Sequence, residues 1–401
     1  MSNSRVMESE PFNFPRSILC RVLKRIHYGS ITVFFPNGSE ETFSGAEPGP
    51  QVCIQVINYR CLWRVILGGD LGLAEGYIAG DWDSDNIGDL LKLGILNRDA
   101  LIGLLSKSWI KLILSRIFHV MRSNTRRGSR RNISQHYDLG NDFYSLWLDQ
   151  TMTYSSALFD TGEESILQAQ QNKYRRMASQ LDLKKGDNVL DIGCGWGGFA
   201  KFAAEEFGCR VTGITLSKEQ AMYASSLIAR TGLTDQIRIR IQDYRDCTGS
   251  FDKIVSSEMF EAVGIKNWSL YCGILRKNLN VNGLICLQII SIDEKNVRYY
   301  RKNPDFIQRY IFHGGVLPSP KEIENSLIRS NLKIIDSFYF GESYARTLKN
   351  WREEFQKNWL SIKNIGFDEQ FYRMWNYYLC YCEAGFEMGN INVGQYTIRT
   401  A

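Results

Sequence analysis

The residues best suited to binding chemistry form a glycine-rich turn that begins with an acid. The run Asp191-Ile-Gly193-Cys194-Gly195-Trp-Gly197-Gly198 follows an apolar segment and precedes a helical one. Glycine lets the backbone turn sharply and lets a ligand approach it closely. The glycines also match the G-x-G-x-x-G pattern of dinucleotide sites, which require an acid after the following strand to hold a ribose. That strand ends in Gly213-Ile-Thr-Leu-Ser217 without such an acid, so the pattern favours a different nucleotide ligand.

An acid two residues before the first glycine, here Asp191, is typical of turns that bind S-adenosylmethionine. This ligand has a sulfonium cation, an ammonium group and a carboxylate but no phosphate, so a turn without lysine or arginine suits it. The third predicted strand ends in Gln242-Asp243-Tyr244. There the amide and the acid can hydrogen-bond an adenine edge while the ring lies along its face. We therefore predict an S-adenosylmethionine site at the ends of neighbouring strands.

Strand and helix patterns alternate from residue 132 onward, which is typical of a mostly parallel sheet. The predicted strands are Val189–Ile192, Arg210–Thr215, Ile237–Ile241, Ile254–Ser257, Leu284–Ile290, Lys333–Phe340 and Ile391–Ile398. An insert at Ser291–Pro320 follows the fifth strand, and a long helical block at Ser343–Phe386 precedes the last. Inserts after strands lie on the ligand side of an open sheet. The predicted fold class is α/β, with a seven-stranded Rossmann-like methyltransferase domain carrying helical inserts.

A small α+β N-terminal domain is predicted ahead of it, over residues 1–121. A chain of 401 residues is too long for one compact core. Ser30–Phe35 and Glu41–Phe43 predict two strands joined by a turn, and helical segments follow. A basic linker, 122–134, then leads to the methyltransferase domain, 135–401.

Residues 101–121 are the best candidate for an amphipathic helix. Apolar side chains recur there at helical spacing, while the basic side chains lie mainly off that stripe. Next to the basic linker, such a helix either docks on a lipid surface or packs inside the protein ahead of a solvated segment. The first domain is thus predicted to associate with lipid or to mediate dimerisation, giving a homodimer.

Composition limits the range of partners. The net charge of +5 permits contact with an anionic membrane surface and does not indicate a nucleic-acid partner. No apolar run approaches the ~18 residues that span a bilayer, and the polar N-terminus does not resemble a secretory signal. We expect a cytoplasmic protein with peripheral membrane contact. The cysteines and histidines lack metal-ligand spacing, so we expect no metal.

Seven further motifs occur in order between about residues 130 and 390. They are Gln135–Asp142, Tyr154–Ala157, Gly213–Gln220, Met259–Gly264, Phe306–Phe312, Gly315–Pro320 and Tyr344–Trp351. Together with the glycine-rich turn, they resemble the cyclopropane-fatty-acyl-phospholipid synthase family, which includes the mycolic acid cyclopropane synthases. The first domain is similar to the family more loosely, through Gly76–Asp83.

The resemblance implies methyl transfer from S-adenosylmethionine to a cis double bond of a phospholipid acyl chain, followed by proton removal that closes a cyclopropane ring. It implies cofactor contacts from Tyr154, Ser155, Gly193, Gly195, Thr215, Leu216, Gln220, Gln242 and Asp243. It also implies a bound bicarbonate ion as the base, held by Glu261, by Tyr344 and by backbone around Ser156 and Ile290. Glu258 precedes Glu261 by three residues and ranks second as the bicarbonate partner.

This chemistry makes demands that an aromatic-rich chain can meet. Methyl addition to an alkene depends on positioning, and it creates a carbocation that must be kept from water and faced by electron-rich groups. Aromatic faces supply such groups. One or two of the following rings are expected near the cation: Tyr299, Tyr300, Tyr310, Phe312, Tyr377 and Tyr378.

Two positions depart from the family pattern. The cysteine common in the family's Tyr-Ser-Cys-Ala run is Ser156 here, a change that matters little if this position acts through its backbone. The family's frequent histidine on the fifth strand is Gln288, which can donate a hydrogen bond to bicarbonate but cannot carry a proton at neutral pH. Loss of a different proton would leave a methylene branch, so both products stay open.

Three functions remain at this point. The first is formation of a cyclopropane on unsaturated acyl chains of membrane phospholipid. The second is a methyltransferase of the same fold that makes a methyl- or methylene-branched lipid, or that methylates a small soluble acceptor and would not require the first domain. The third is a lipid-binding protein that has lost catalysis, against which the intact cofactor motifs argue.

Overall fold

The computed structural model describes residues 13–105 and 139–401, and the chain divides into two compact units. The first unit comprises residues 1–113 together with 367–384, and the second comprises 114–366 and 385–401. The predicted basic linker, 122–134, lies outside the described residues. So does the predicted amphipathic helix, 101–121, apart from its first five residues.

The described part of the first unit contains a four-stranded sheet in the order β2-β1-β3-β4. Its strands are β1 (Tyr28–Phe34), β2 (Glu40–Ser44), β3 (Glu47–Val56) and β4 (Trp82–Ser84). Its helices are α1 (Asn13–Leu23), α2 (Arg60–Gly68), α3 (Asp70–Ile78), α4 (Ile87–Leu96) and α5 (Arg98–Leu105). The predicted pair of strands is present, because β1 and β2 pair antiparallel. Strand β3 was not predicted, since Pro48, Gly49 and Pro50 near its start are residues that usually interrupt strands.

The described part of the second unit contains a seven-stranded sheet in the order β10-β11-β9-β8-β5-β6-β7. Its strands are β5 (Asn188–Ile192), β6 (Arg210–Thr215), β7 (Ile237–Ile241), β8 (Phe251–Ser257), β9 (Leu279–Ile292), β10 (Leu332–Tyr339) and β11 (Ile391–Thr400). Strands β5 to β9 pair parallel with one another, while β11 pairs antiparallel with both β9 and β10. All seven predicted strands are present, and the α/β prediction is confirmed.

Helices cover the sheet and form the inserts. They are α6 (Asn141–Ser145), α7 (Ile166–Gln180), α8 (Gly198–Phe207), α9 (Lys218–Arg230), α10 (Phe260–Val263), α11 (Trp268–Asn278), α12 (Glu294–Lys302), α13 (Pro320–Ile328), α14 (Gly341–Lys357), α15 (Trp359–Asn364) and α16 (Glu369–Glu387). Most of α16 belongs to the first unit. Across the two described stretches of chain, no helix combines the length and the hydropathy that crossing a bilayer requires.

The central strands of the seven-stranded sheet are buried on both faces. Adjacent residues of a central strand belong to different core clusters, as Val189 and Leu190 do on β5 and as Ile254 and Val255 do on β8. Successive side chains of a strand point to opposite faces, so nearly continuous apolar strands produce two packed layers. These layers hold the carboxyl ends of the parallel strands in a fixed arrangement.

The strand order reverses at β5, which lies between β6 on one side and β8 on the other. In open α/β sheets, the crevice beyond the carboxyl ends at such a reversal is where ligands bind. The glycine-rich turn follows β5 at this point, and two other predicted cofactor motifs follow β6 and β7 at the same edge. The topology therefore assembles segments that are distant in sequence.

Candidate active site

The glycine-rich turn adopts the backbone conformation that requires glycine. Gly193 has φ 78° and Gly195 has φ 55°, both in the left-handed region. The amides of Gly193 and Cys194 donate to the carbonyl of Ile214 across 2.9 and 3.1 Å, which anchors the turn to β6. A Cβ on Gly193 would lie 2.4 Å from Met259 Cγ, whereas a Cβ on Gly195 would meet no atom within 4 Å. The backbone at Gly195 thus faces open space that a ligand can enter.

Asp191 lies buried at the end of β5, just before the turn. Within the described residues, its Oδ2 atom has no hydrogen-bond partner. Burial raises the pKa of its carboxyl to about 7, although the charge of Lys173 acts in the opposite direction. A buried carboxylate oxygen without a partner is costly unless a ligand satisfies it. This atom is therefore suited to accept a hydrogen bond from a bound cofactor.

Thr215, Leu216 and Gln220 form one rigid turn at the carboxyl end of β6. The Thr215 hydroxyl donates to Gln220 Oε1 across 2.9 Å and accepts from the amide of Ser217 across 3.2 Å. The Ser217 hydroxyl caps α9 by accepting from the amide of Gln220. Leu216 lies between them and is partly exposed. Local capping thus fixes the positions of these three predicted cofactor residues.

The acid of the turn after β7 is paired with a neighbouring arginine. The Asp243 carboxylate accepts two hydrogen bonds from the Arg245 guanidinium, across 2.8 and 2.6 Å. Gln242 is fixed by its side-chain amide, which donates to the carbonyl of Asp246. The ring of Tyr244 packs in the apolar core, 5.2 Å from that of Tyr271. No sequence pattern indicated Arg245, and the adenine contacts of Gln242, Asp243 and Tyr244 stay predictions.

Glu258, directly after β8, is the centre of a polar cluster. Among the residues that the structure describes, three groups donate to its carboxylate. The Tyr344 hydroxyl donates to Oε2 across 2.6 Å, and Oε1 accepts from the amide of Ser156 across 2.9 Å and from Gln288 Nε2 across 2.8 Å. Ser156 thus enters the site through its backbone, since its hydroxyl donates to the carbonyl of Ala157. Burial raises the pKa of the Glu258 carboxyl, while these donors counteract that rise.

Glu261 lies on the short helix α10 beside this cluster. Its Oε1 accepts a hydrogen bond from the amide of Ile290 on β9, and its Oε2 has no partner within the described residues. Burial, and then the charge of Glu258, raise the pKa of its carboxyl to about 8. Two coupled carboxyls in a buried site do not both ionise readily. Because Glu258 has more donors than Glu261, the site stabilises the ionised form of Glu258 more than that of Glu261.

Gln288 is oriented by a second buried amide. Its Oε1 accepts from Gln395 Nε2 on β11 across 3.1 Å, so its own Nε2 is directed at Glu258. Both glutamines are almost fully buried. The same Nε2 also donates to the Ser156 carbonyl across 3.4 Å, and a neutral amide held in this way donates hydrogen bonds but cannot take up or release a proton at neutral pH.

The loop that carries Tyr154, Ser155 and Ser156 is held by a buried lysine that no sequence pattern indicated. Lys173 Nζ donates to the Ser155 hydroxyl across 2.8 Å, and Gln170 Nε2 donates to the Ser155 carbonyl across 3.0 Å. Burial lowers the pKa of Lys173 to about 7, against the charges of nearby acids including Glu258 and Asp191. A helical lysine is normally solvated, so only its complete burial distinguishes this one.

Aromatic rings connect the predicted cofactor loop to the carboxylate cluster. The ring of Tyr154 lies 5.4 Å from Tyr144, 5.5 Å from Trp147 and 5.2 Å from Trp351. Trp351 in turn lies 6.1 Å from Tyr344. We call these five rings the aromatic wall. The rings proposed from composition were different ones, of which Tyr377 and Tyr378 lie on the part of α16 in the first unit.

The chain is similar to known proteins over most of its length. A family model described as mycolic acid cyclopropane synthetase matches residues 124–396. A tuberculostearic acid methyltransferase of Mycobacterium tuberculosis is 36% identical over 343 residues, covering 84% of this chain and 80% of that protein. A cyclopropane-fatty-acyl-phospholipid synthase of Escherichia coli is 35% identical over 347 residues, covering 85% and 86%. A crystal structure of a mycolic acid cyclopropane synthase with SAH and CTAB matches at 29% identity with a TM-score of 0.64, covering 67% of this chain and 97% of that one.

Proposed function

This chain belongs to the mycolic acid cyclopropane synthetase family, as its motifs predicted, and we propose that it methylates the cis double bond of an unsaturated phospholipid acyl chain. Family membership makes it an S-adenosylmethionine-dependent methyltransferase. The observation that carries the finer proposal is the Glu258 carboxylate beside Tyr344 and the aromatic wall. A negative charge and ring faces in one water-poor site are what a carbocation on a lipid requires.

The residues at the carboxyl edge of the sheet fit S-adenosylmethionine. Open space at Gly195 leaves room for the ligand, and the unpartnered Oδ2 of Asp191 can accept a hydrogen bond from it. Thr215 and Gln220 lie on the rigid turn of the next strand. When bound, the cofactor supplies an electrophilic methyl group. No lysine or arginine stands in the glycine-rich turn to repel its cationic centre.

The protein's own contribution is positioning, exclusion of water and charge. An alkene is a weak nucleophile, so the rate depends on holding it against the methyl group. The buried rings of Trp147, Trp351 and Tyr344 keep water from the reacting carbons. The Glu258 carboxylate stabilises the positive charge that develops on the lipid. We propose a cyclopropane as the product.

A methyl- or methylene-branched acyl chain is the second candidate product. Two observations favour it: Gln288 stands where the family frequently has histidine, and the relative named above is a tuberculostearic acid methyltransferase. Gln288 donates to Glu258 but cannot relay a proton, so proton removal falls to fewer groups. The product depends on which carbon loses its proton.

The substrate also requires access to a membrane. We propose peripheral contact with an anionic surface, supported by the net charge of +5 and by the basic residues of 122–134. Flotation with vesicles tests this contact: the protein should float with anionic vesicles at low salt and separate from them at high salt. Equal flotation with neutral vesicles would contradict the electrostatic part of the proposal.

Methyl transfer itself is tested with S-adenosylmethionine labelled in its methyl group. We expect label in the lipid when vesicles contain cis-unsaturated phospholipid and none when they contain only saturated phospholipid. Gas chromatography with mass spectrometry of the released acyl chains distinguishes a ring from a methylene branch. Label that enters a small amine and never enters the lipid would refute the proposal.

A further inference from the structure

The groups expected to hold a bicarbonate ion are already occupied by side chains of the protein. The hydroxyl of Tyr344 and the amide of Ser156 donate to Glu258, and the amide of Ile290 donates to Glu261. A bicarbonate ion placed among these groups would meet the Glu258 carboxylate instead of hydrogen-bond donors. Two like charges in a buried site repel strongly. The residues present therefore do not fit a bound bicarbonate ion.

The Glu258 carboxylate has the properties of a general base. An ionised carboxylate offers about four lone-pair positions, and the described residues occupy two on Oε1 and one on Oε2. Oε2 therefore retains capacity to accept a proton. The residue as a whole is partly buried. Burial raises the pKa of its carboxyl, and a base with a pKa closer to neutrality is better matched to proton removal at neutral pH.

Backbone strain at Glu258 is an independent observation. Its φ of 54° places a non-glycine residue in the left-handed region, which costs roughly 1–2 kcal/mol for most side chains. The conformation is held by the amide of Glu258, which donates to the carbonyl of Gln288 across 2.7 Å. Glycine would adopt the same backbone without this cost. Strained residues of this kind are concentrated at functional sites, and here the strain places a carboxylate among three donors.

We infer that Glu258 is the general base of this enzyme and that it replaces the bicarbonate ion expected from the family. The inference rests on the proposed function. The π electrons of the alkene form a bond to the methyl carbon while the methyl–sulfur bond breaks and its electrons stay on sulfur. The second alkene carbon is left positive. Glu258 Oε2 then takes a proton from the added methyl group, and the C–H electrons close the ring. The proton leaves to water after release of the lipid, so no further reactant is consumed.

The substitution Glu258→Gly tests this assignment. It relieves the strained φ, which offsets part of the cost of leaving three donors without their acceptor, and the rate is measured below the melting transition of the variant. Formation of the cyclopropane product should fall by about 10²-fold or more, the range that a general base contributes. Bicarbonate should restore part of the rate, because the donors at Tyr344, Ser156 and Gln288 become available. The control is Asn331→Gly, which relieves a similar φ of 55° at the start of β10, on the opposite edge of the sheet, and should keep full activity.

Wild-type enzyme provides the complementary measurement. Its rate in buffer stripped of carbon dioxide should equal its rate with added bicarbonate. Carbon-13 NMR should detect bicarbonate bound to the Glu258→Gly variant and none bound to the wild type. A wild type that binds bicarbonate, or that needs it for turnover, would overturn the inference, as would full activity of Glu258→Gly. The binding measurement uses no lipid, so it tests whether Glu258 excludes bicarbonate even if the methyl acceptor is not a lipid.

Discussion

Replacing Tyr344 with phenylalanine removes one hydroxyl group from the carboxylate cluster and keeps the ring. The hydroxyl donates to Glu258 Oε2 across 2.6 Å. The ring lies 6.1 Å from that of Trp351 and 4.4 Å from that of Phe386, and phenylalanine preserves both contacts. We therefore expect the variant to fold and to bind S-adenosylmethionine as the wild type does. The effect should be confined to the ionisation of Glu258.

The size of the effect follows from the lost hydrogen bond. A hydrogen bond to a charged group contributes about 1.5–3 kcal/mol. One pKa unit corresponds to about 1.36 kcal/mol, so removal of the donor should raise the pKa of Glu258 by about 1–2 units. The donor stabilises the ionised form, and its loss therefore favours the protonated form. Since the base must be ionised, the acidic limb of the pH–rate profile should move to higher pH by the same amount.

The assay is turnover of labelled S-adenosylmethionine with unsaturated vesicles, measured across the acidic and neutral range. The matched control is Tyr77→Phe, which removes a buried hydroxyl that accepts from Asn376 Nδ2 across 3.2 Å within the first unit. Its pH profile should coincide with that of the wild type. An acidic limb that stays in place in Tyr344→Phe, with or without a uniform loss of rate, would refute the assignment of Glu258 as the titrating base.

Further substitutions separate the cofactor site from the carboxylate cluster. Gly195→Ala should weaken binding of S-adenosylmethionine by about tenfold or more in calorimetry, because its Cβ enters the space left for the ligand. Gly232→Ala, with φ 71° and equally open surroundings, should leave binding unchanged. Lys173→Met removes a charge that lowers the pKa of Glu258, so the acidic limb should again move to higher pH. Glu261→Gln removes a carboxyl whose pKa is about 8 in the folded protein and 4.5 in the ordinary state. Because folding holds this carboxyl protonated, the wild type loses stability as the pH rises from 4.5 to about 8. The variant's advantage in melting temperature should grow from about pH 5 to pH 8 and stay level above it, and a constant difference would contradict the burial of that carboxyl.

Local sequence determined most of the cofactor side of this protein. The glycine-rich turn is identifiable because left-handed backbone at Gly193 and Gly195 admits few other residues, and because a strand must precede it and a helix must follow it. Apolar runs located the central strands of the large sheet, since a strand buried on both faces must be apolar throughout, and alternation of apolar and basic residues located β7. These features depend on neighbours in the chain, so they can be inferred without the fold.

The roles of the two carboxyls were decided by tertiary structure. The family resemblance ranked Glu261 first and Glu258 second as the bicarbonate partner. The groups that donate to Glu258 come from Ser156, 102 residues earlier, and from Tyr344, 86 residues later. The burial that raises the pKa of Glu261 also depends on how the elements pack.

The burial of Lys173 also could not be inferred from the sequence. In sequence it is an ordinary lysine of an amphipathic helix, and only the packed structure buries it beneath the loop of Ser155. Ionisation depends on desolvation and on charges within a few ångströms, and neither quantity is a property of local sequence. The sequence thus determined the fold and the cofactor turn, whereas packing alone determined which acid has the donors that stabilise its ionised form.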